Sequence, residues 1–179
     1  MHHFPSLDSL GPRICICGPS NAGKSTLAAA LGRKLGRPVV HLDQLHHQPN
    51  TNWVPRPREE FEKLHDAAIL GDSWVMEGNY SGLYPRRMAR ASSIILLGDN
   101  RWANFRRYLR RTIFQKNRVG NLEGAQDSIK WVMVNWILFH QPKRRSRDIR
   151  LLKSYDLPMI KLDSMRELNA LYSAWGLSR

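Results

Sequence analysis

Gly18-Pro19-Ser20-Asn21-Ala22-Gly23-Lys24-Ser25-Thr26 follows directly on the apolar run Ile14-Cys15-Ile16-Cys17 and leads into Leu27, Leu31 and Leu35 at helical spacing. An unbroken apolar run ended by glycine is expected of a strand buried on both faces of a parallel sheet. The spaced leucines, with Ala28 to Ala30 between them, predict a helix stopped by Gly36 and Pro38. Strand, glycine loop and helix, in that order, are the context in which the spacing Gly-x4-Gly-Lys-Ser/Thr has a mechanism. The glycines let successive backbone N–H groups turn inward around a polyphosphate at the positive end of the helix. Lys24 is placed to reach the terminal phosphates, and Ser25 offers a hydroxyl to Mg²⁺, which prefers oxygen ligands. Gly18, Ser20, Asn21, Ala22, Gly23, Lys24, Ser25 and Thr26 are therefore the candidate nucleotide-binding residues.

Outward from the loop the pattern repeats. Val39 to Leu42 predicts a second strand ending at Asp43, followed by an irregular stretch from about His46 to Pro57. A helix from about Arg58 to Leu70 starts behind Pro57, with Glu59 and Glu60 at its positive end. Trp74-Val75-Met76 predicts a third strand ending at Glu77-Gly78, Ile94 to Leu97 a fourth, and Met159 to Leu162 a fifth, closed by a helix from about Met165 to Trp175. Strands alternating with helices imply right-handed crossovers and a parallel sheet covered on both sides. Between the fourth and fifth strands lies a long, strongly basic helical segment, roughly residues 101–154. Residues 1–179 read as one domain, with a helical insertion at about 112–147 that would act as a lid.

Ligands in open parallel sheets bind beyond the carboxyl ends of the strands. Asp43, Glu77 and Asp99 lie there. Glu77 is the first choice for a carboxylate that orients metal waters, and Asp43 could accept a proton from an acceptor hydroxyl or share the metal shell; Asp99 ranks below both, and each could instead be a polar loop residue capping a neighbouring helix. After the fourth strand Arg107 and Arg111 share a helix face, with Arg106 and Arg110 on the adjacent stripe. Guanidinium donors suit the charge spread over a transferring phosphoryl group. Arg118, Arg145 and Arg147 could serve similarly, or form a solvated basic face. Trp131, Trp136 and Phe139 read as the core of the lid helices.

The chain has 28 Lys and Arg against 15 Asp and Glu, a net charge of +13, which favours polyanionic partners. Cys15 and Cys17 alternate on a strand and read as buried, reduced thiols of a cytoplasmic protein. The first eleven residues lack the apolar segment of a signal peptide, and no run spans a bilayer, so no membrane partner is expected.

With these features in place, the sequence resembles the adenylate-kinase-like P-loop group, and within it the DNA topology modulation proteins. The resemblance is carried by His41-Leu42-Asp43-Gln44-Leu45, Trp53-Val54-Pro55, Arg58-Glu59-Glu60, the run Trp74 to Ser81, and Arg101-Trp102 followed by Arg107 and Arg111. It covers about residues 13–165. It implies a five-stranded parallel sheet in the order 2-3-1-4-5 within a three-layer sandwich, ATP and Mg²⁺ at the loop, and an arginine-bearing lid. It also implies Arg107 near the adenine and Arg111 near the phosphates. Two positions depart from the group's pattern. Glu77-Gly78 stands where Asp-Gly is usual, and Leu97-Gly98-Asp99-Asn100-Arg101 displaces an Asp by one residue.

The combined expectation is a Mg-ATP-dependent kinase acting on a small, nucleotide-like or other hydroxyl- or phosphate-bearing acceptor. Catalysis falls to Lys24, Asp43 and Arg111, the metal to Ser25 and Glu77, and the acceptor to Asp43, Asn79 and Tyr80. The alternative is a nucleic-acid-binding ATPase or regulator of DNA topology, suggested by seven basic and no acidic residues between Arg101 and Arg118.

Overall fold

The computed structural model describes residues 4–98, 101–114, 120 and 131–179. Strand β1 (Arg13–Cys17) runs into the loop, and helix α1 (Lys24–Leu35) leaves it. Gly36 closes α1 in the left-handed conformation, with its N–H on Gly32 O, as the sequence leads one to expect. Then come β2 (Val39–His41), a short α2 (Leu42–His46), α3 (Arg58–Ile69), β3 (Trp74–Glu77), α4 (Tyr84–Met88) and β4 (Ser93–Leu97). The basic segment forms α5 (Arg101–Phe114), α6 (Trp131–Asn135), a π-helical turn (Trp136–His140) and α7 (Gln141–Lys153). Strand β5 (Met159–Leu162) and α8 (Met165–Ala174) complete the described chain. Ser164 caps α8: its Oγ accepts from the Glu167 N–H, and the Glu167 carboxylate accepts from the Asp163 N–H just before the cap.

The five strands pair in parallel in the order β2-β3-β1-β4-β5. Alternation along β1 divides the core in two. Ile14 and Ile16 face Leu27, Leu31, Leu168 and Leu171 on the α1/α8 side. Cys15 and Cys17 face Trp74, Met76, Ile94 and Tyr84 on the other. Both thiols are free and buried, and burial pushes Cys15 up to about 12, so neither is poised as a thiolate.

Two expectations change. Leu42 does not extend β2 but opens α2, burying its side chain under the sheet edge. The small core of the basic segment is Tyr108, Val134, Ile137 and Leu138, whereas Trp131 is 82 % and Phe139 56 % exposed. The five-residue α6 passes straight into the wider π turn, which shifts the inward face from the predicted aromatics to Ile137 and Leu138. The side chain of Trp136 lies outside the described residues. Among the described residues no helix is long and apolar enough to cross a membrane.

Candidate active site

Gly18 turns the chain out of β1 at φ +143°, and a Cβ there would run into Leu97 O at 2.5 Å, so the close approach of β1 and β4 requires glycine. Gly23, at φ +95°, turns the chain into α1. The first N–H groups of α1 thus point out of the helix at the end of the sheet, where an anion is favoured. Lys24 Nζ donates across the loop to Pro19 O at 3.0 Å. The loop is fastened to β3: the Gly18 N–H donates to Asn79 Oδ1 at 2.9 Å, and Asn79 Nδ2 donates back to Gly18 O at 3.0 Å. Asn79, expected beside the acceptor, therefore has its amide turned to the loop.

Glu77 ends β3 and is only 3 % exposed. Its Oε1 accepts from Ser25 Oγ at 2.9 Å and lies 3.0 Å from His41 Nδ1. Burial pushes the carboxyl up, but the His41 hydrogen bond, the Lys24 charge and the Ser25 hydroxyl together hold it below the usual carboxylate range. An ionised, buried carboxylate is thus fixed beside the loop hydroxyl. Gly120 packs over the pair, close enough that a Cβ there would lie 3.0 Å from His41 Nδ1 and from Ser25 Cβ. Among the described residues no three His, Cys, Asp or Glu side chains form a metal-binding group.

Asp43, in the first turn of α2, is exposed and accepts from the Tyr80 hydroxyl at 2.6 Å. Burial and the charges of Asp43 and Glu77 push the Tyr80 phenol far up, so Tyr80 remains a fixed donor. Tyr80 thus lies within reach of both carboxylates, at the ends of β2 and β3.

The sequence matches no protein-family profile and no curated protein. Solved structures are similar. A shikimate kinase from Bacteroides thetaiotaomicron aligns with a TM-score of 0.55 at 20 % identity, over 93 % of this chain and 99 % of the other. A shikimate kinase from Acinetobacter baumannii, in complex with shikimate, aligns with a TM-score of 0.56 at 15 % identity, over 94 % and 95 %. The chain has the P-loop kinase fold.

On that fold the nominated arginines separate. Arg107 is half-buried and donates through Nε to Asn21 O at 2.7 Å and through Nη2 to Asn104 Oδ1 at 2.6 Å, so α5 rests on the phosphate loop. Arg106 and Arg110 are exposed. Arg145 pairs with Asp163 at 3.2 Å, beside Gly98. Arg147 is exposed. Asp99, Arg118 and the side chain of Arg111 lie outside the described residues.

Two participants, His41 and Arg87, are not marked out by the sequence. His41 was visible only as a neighbour of Asp43, and its contact with Glu77 comes from the parallel register that sets His41 against Glu77. Arg87 is 1 % exposed and donates to Asn79 O, with its guanidinium 5.1 Å from the Tyr84 ring centre. In the run Arg86-Arg87 only the fold distinguishes the buried cation from its ion-paired neighbour.

Proposed function

We propose that this chain is a Mg-ATP-dependent phosphotransferase acting on a small acceptor. The observation that carries the reading is the Ser25–Glu77 hydrogen bond at the mouth of the loop: a hydroxyl and an ionised buried carboxylate that suit a hydrated Mg²⁺. The donor chemistry fits the nucleotide as well, since Gly18 and Gly23 keep side chains out of a loop lined by backbone N–H groups. Lys24, Ser25 and Glu77 would hold Mg-ATP, with Arg107 near the base. The bound nucleotide supplies the phosphoryl group to be transferred.

The chain's own residues then position and neutralise. Lys24 and Arg111 offset charge on the phosphoryl oxygens. Asp43, oriented by the Tyr80 hydroxyl, accepts the proton of an acceptor hydroxyl. Asn79 keeps the loop in register with β3. The chain acts as one unit with the basic segment at 112–147 as its lid, and its two reduced thiols suit a cytoplasmic enzyme.

Titration calorimetry with Mg-ATP tests the reading: Lys24→Ala should weaken binding at least tenfold, and a variant that binds as tightly as the wild type contradicts it. The exposed Arg106 and Arg110 stripe supports a second reading, a nucleic-acid-binding ATPase or regulator of DNA topology. DNA or RNA binding that weakens steeply with added salt is its signature, and no binding at low salt disposes of it.

A further inference from the structure

The basic character of the protein stops at the acceptor side. Residues 41–90, which build α2, α3, β3, α4 and their loops, hold six Lys and Arg against seven Asp and Glu in a chain of net charge +13. Four arginines of this region are already engaged. Arg56 pairs with Glu60 at 2.7 Å and Arg58 with Glu62 at 2.7 Å. Arg86 pairs with Glu62 at 3.1 Å and Asp66 at 2.9 Å, and Arg87 is buried on Asn79 O.

What this side offers instead is rings. His46 lies 4.9 Å from Phe61 and 5.0 Å from Tyr80, centre to centre, and Phe61 lies 5.0 Å from Tyr80. His47 stands 4.5 Å from His46 and 5.1 Å from Trp53. The loop that carries Trp53 is braced by Gln48 N–H to Val54 O at 2.9 Å, Arg56 N–H to His46 O at 2.7 Å, and Thr51 Oγ1 to Gln48 O at 2.6 Å. It holds Trp53 at φ +62°, a left-handed conformation unusual for a bulky residue and one that persists where the surroundings impose it. Burial and the neighbouring His47 hold the His46 imidazole below its usual range, so it adds no cation at neutral pH. The wall ends at the Asp43 carboxylate.

We infer that the acceptor site takes an uncharged, ring-bearing alcohol of the nucleoside class, with its ring against Trp53 and the His46/Phe61/Tyr80 cluster and its hydroxyl at Asp43. Planar rings stack on aromatic side chains, whereas a phosphate or carboxylate on the acceptor would meet Asp43 in a region where Arg56, Arg58 and Arg86 are paired with carboxylates and Arg87 is buried. The inference deepens the phosphotransferase reading and rests on it for the fate of the hydroxyl.

The experiment is calorimetric titration of the full chain, saturated with Mg-ADP, with adenosine and cytidine, with their 5′-monophosphates, and with glycerol. A nucleoside should bind saturably and at least tenfold more tightly than its own monophosphate, and glycerol should not bind. Trp53→Ala should weaken the nucleoside about tenfold, with melting temperature and Mg-ADP affinity as controls for folding. A monophosphate that binds as tightly as its nucleoside, indifference to Trp53→Ala in a folded variant, or no saturable nucleoside binding overturns the inference. ADP release from Mg-ATP separates the two readings. A nucleoside that binds as expected but never stimulates ADP release sinks the phosphotransferase reading and leaves the ring-binding site standing.

Discussion

The side-chain amide of Asn79 exchanges two hydrogen bonds with the backbone of Gly18, at 2.9 and 3.0 Å, and so ties the turn after β3 to the first residue of the phosphate loop. The pair spans 61 residues of sequence, and Arg87 donates to the Asn79 carbonyl from behind. Asn79→Ala should cost about 1–2 kcal/mol of stability and weaken Mg-ATP binding about tenfold, because Gly18 loses both partners at once. Thermal melts and calorimetry on the same samples measure both. Asn79→Asp keeps the acceptor and loses the donor, so it should fall between the two.

Glu77→Gln keeps the shape beside Ser25 but removes the charge that would hold metal waters. The Mg²⁺ concentration that half-saturates ATP binding should rise about 10- to 100-fold. Unchanged Mg²⁺ dependence would assign Glu77 a purely structural place between Ser25 and His41.

Gly32 lets α1 lie against β2: a Cβ there would run into Val39 Cγ2 and sit 3.1 Å from Arg37 O. Gly32→Ala should destabilise the chain by about 1–3 kcal/mol, read as a lower denaturation midpoint with the slope unchanged.

His65 is fully buried on α3, and its Nε2 has no hydrogen-bond partner among the described residues. Burial lowers its pKa from the usual 6.5, against the pull of Asp66. A folded value below the unfolded one means that the unfolded chain binds more protons. The contribution is therefore fully present above pH 6.5 and is lost as pH falls through the lower folded value. Denaturation midpoints measured from pH 7.5 to 5 should decline, and His65→Phe should flatten that decline.

The fold was legible because its signals are local. Ile14 to Cys17, Trp74 to Met76 and Ile94 to Leu97 are unbroken apolar runs, and Gly36 marks the end of α1. The strand order was not local. It came through resemblance, and the observed pairing agrees with it. Val39-Val40-His41-Leu42 reads as a strand to its end, whereas Leu42 opens α2 and is buried in the cluster of Trp74 and Met76. At the site, the loop residues and Glu77 announced themselves by type and position. His41 and the orientation of Asn79 did not, because their partners lie 36 and 61 residues away and meet only through sheet register. Nothing in the residues around Arg87 foretells its burial against the Tyr84 ring.

The central claim is that the loop, Asp43 of α2 and Glu77 of β3 together transfer a phosphoryl group to a small acceptor. ADP release from Mg-ATP, measured with and without a nucleoside acceptor for the wild type and for Asp43→Asn, tests it most directly. The account predicts release that depends on the acceptor and falls at least a hundredfold in Asp43→Asn while Mg-ATP affinity stays within about twofold. Equal release with and without every acceptor tried, or an Asp43→Asn protein as active as the wild type, would contradict it.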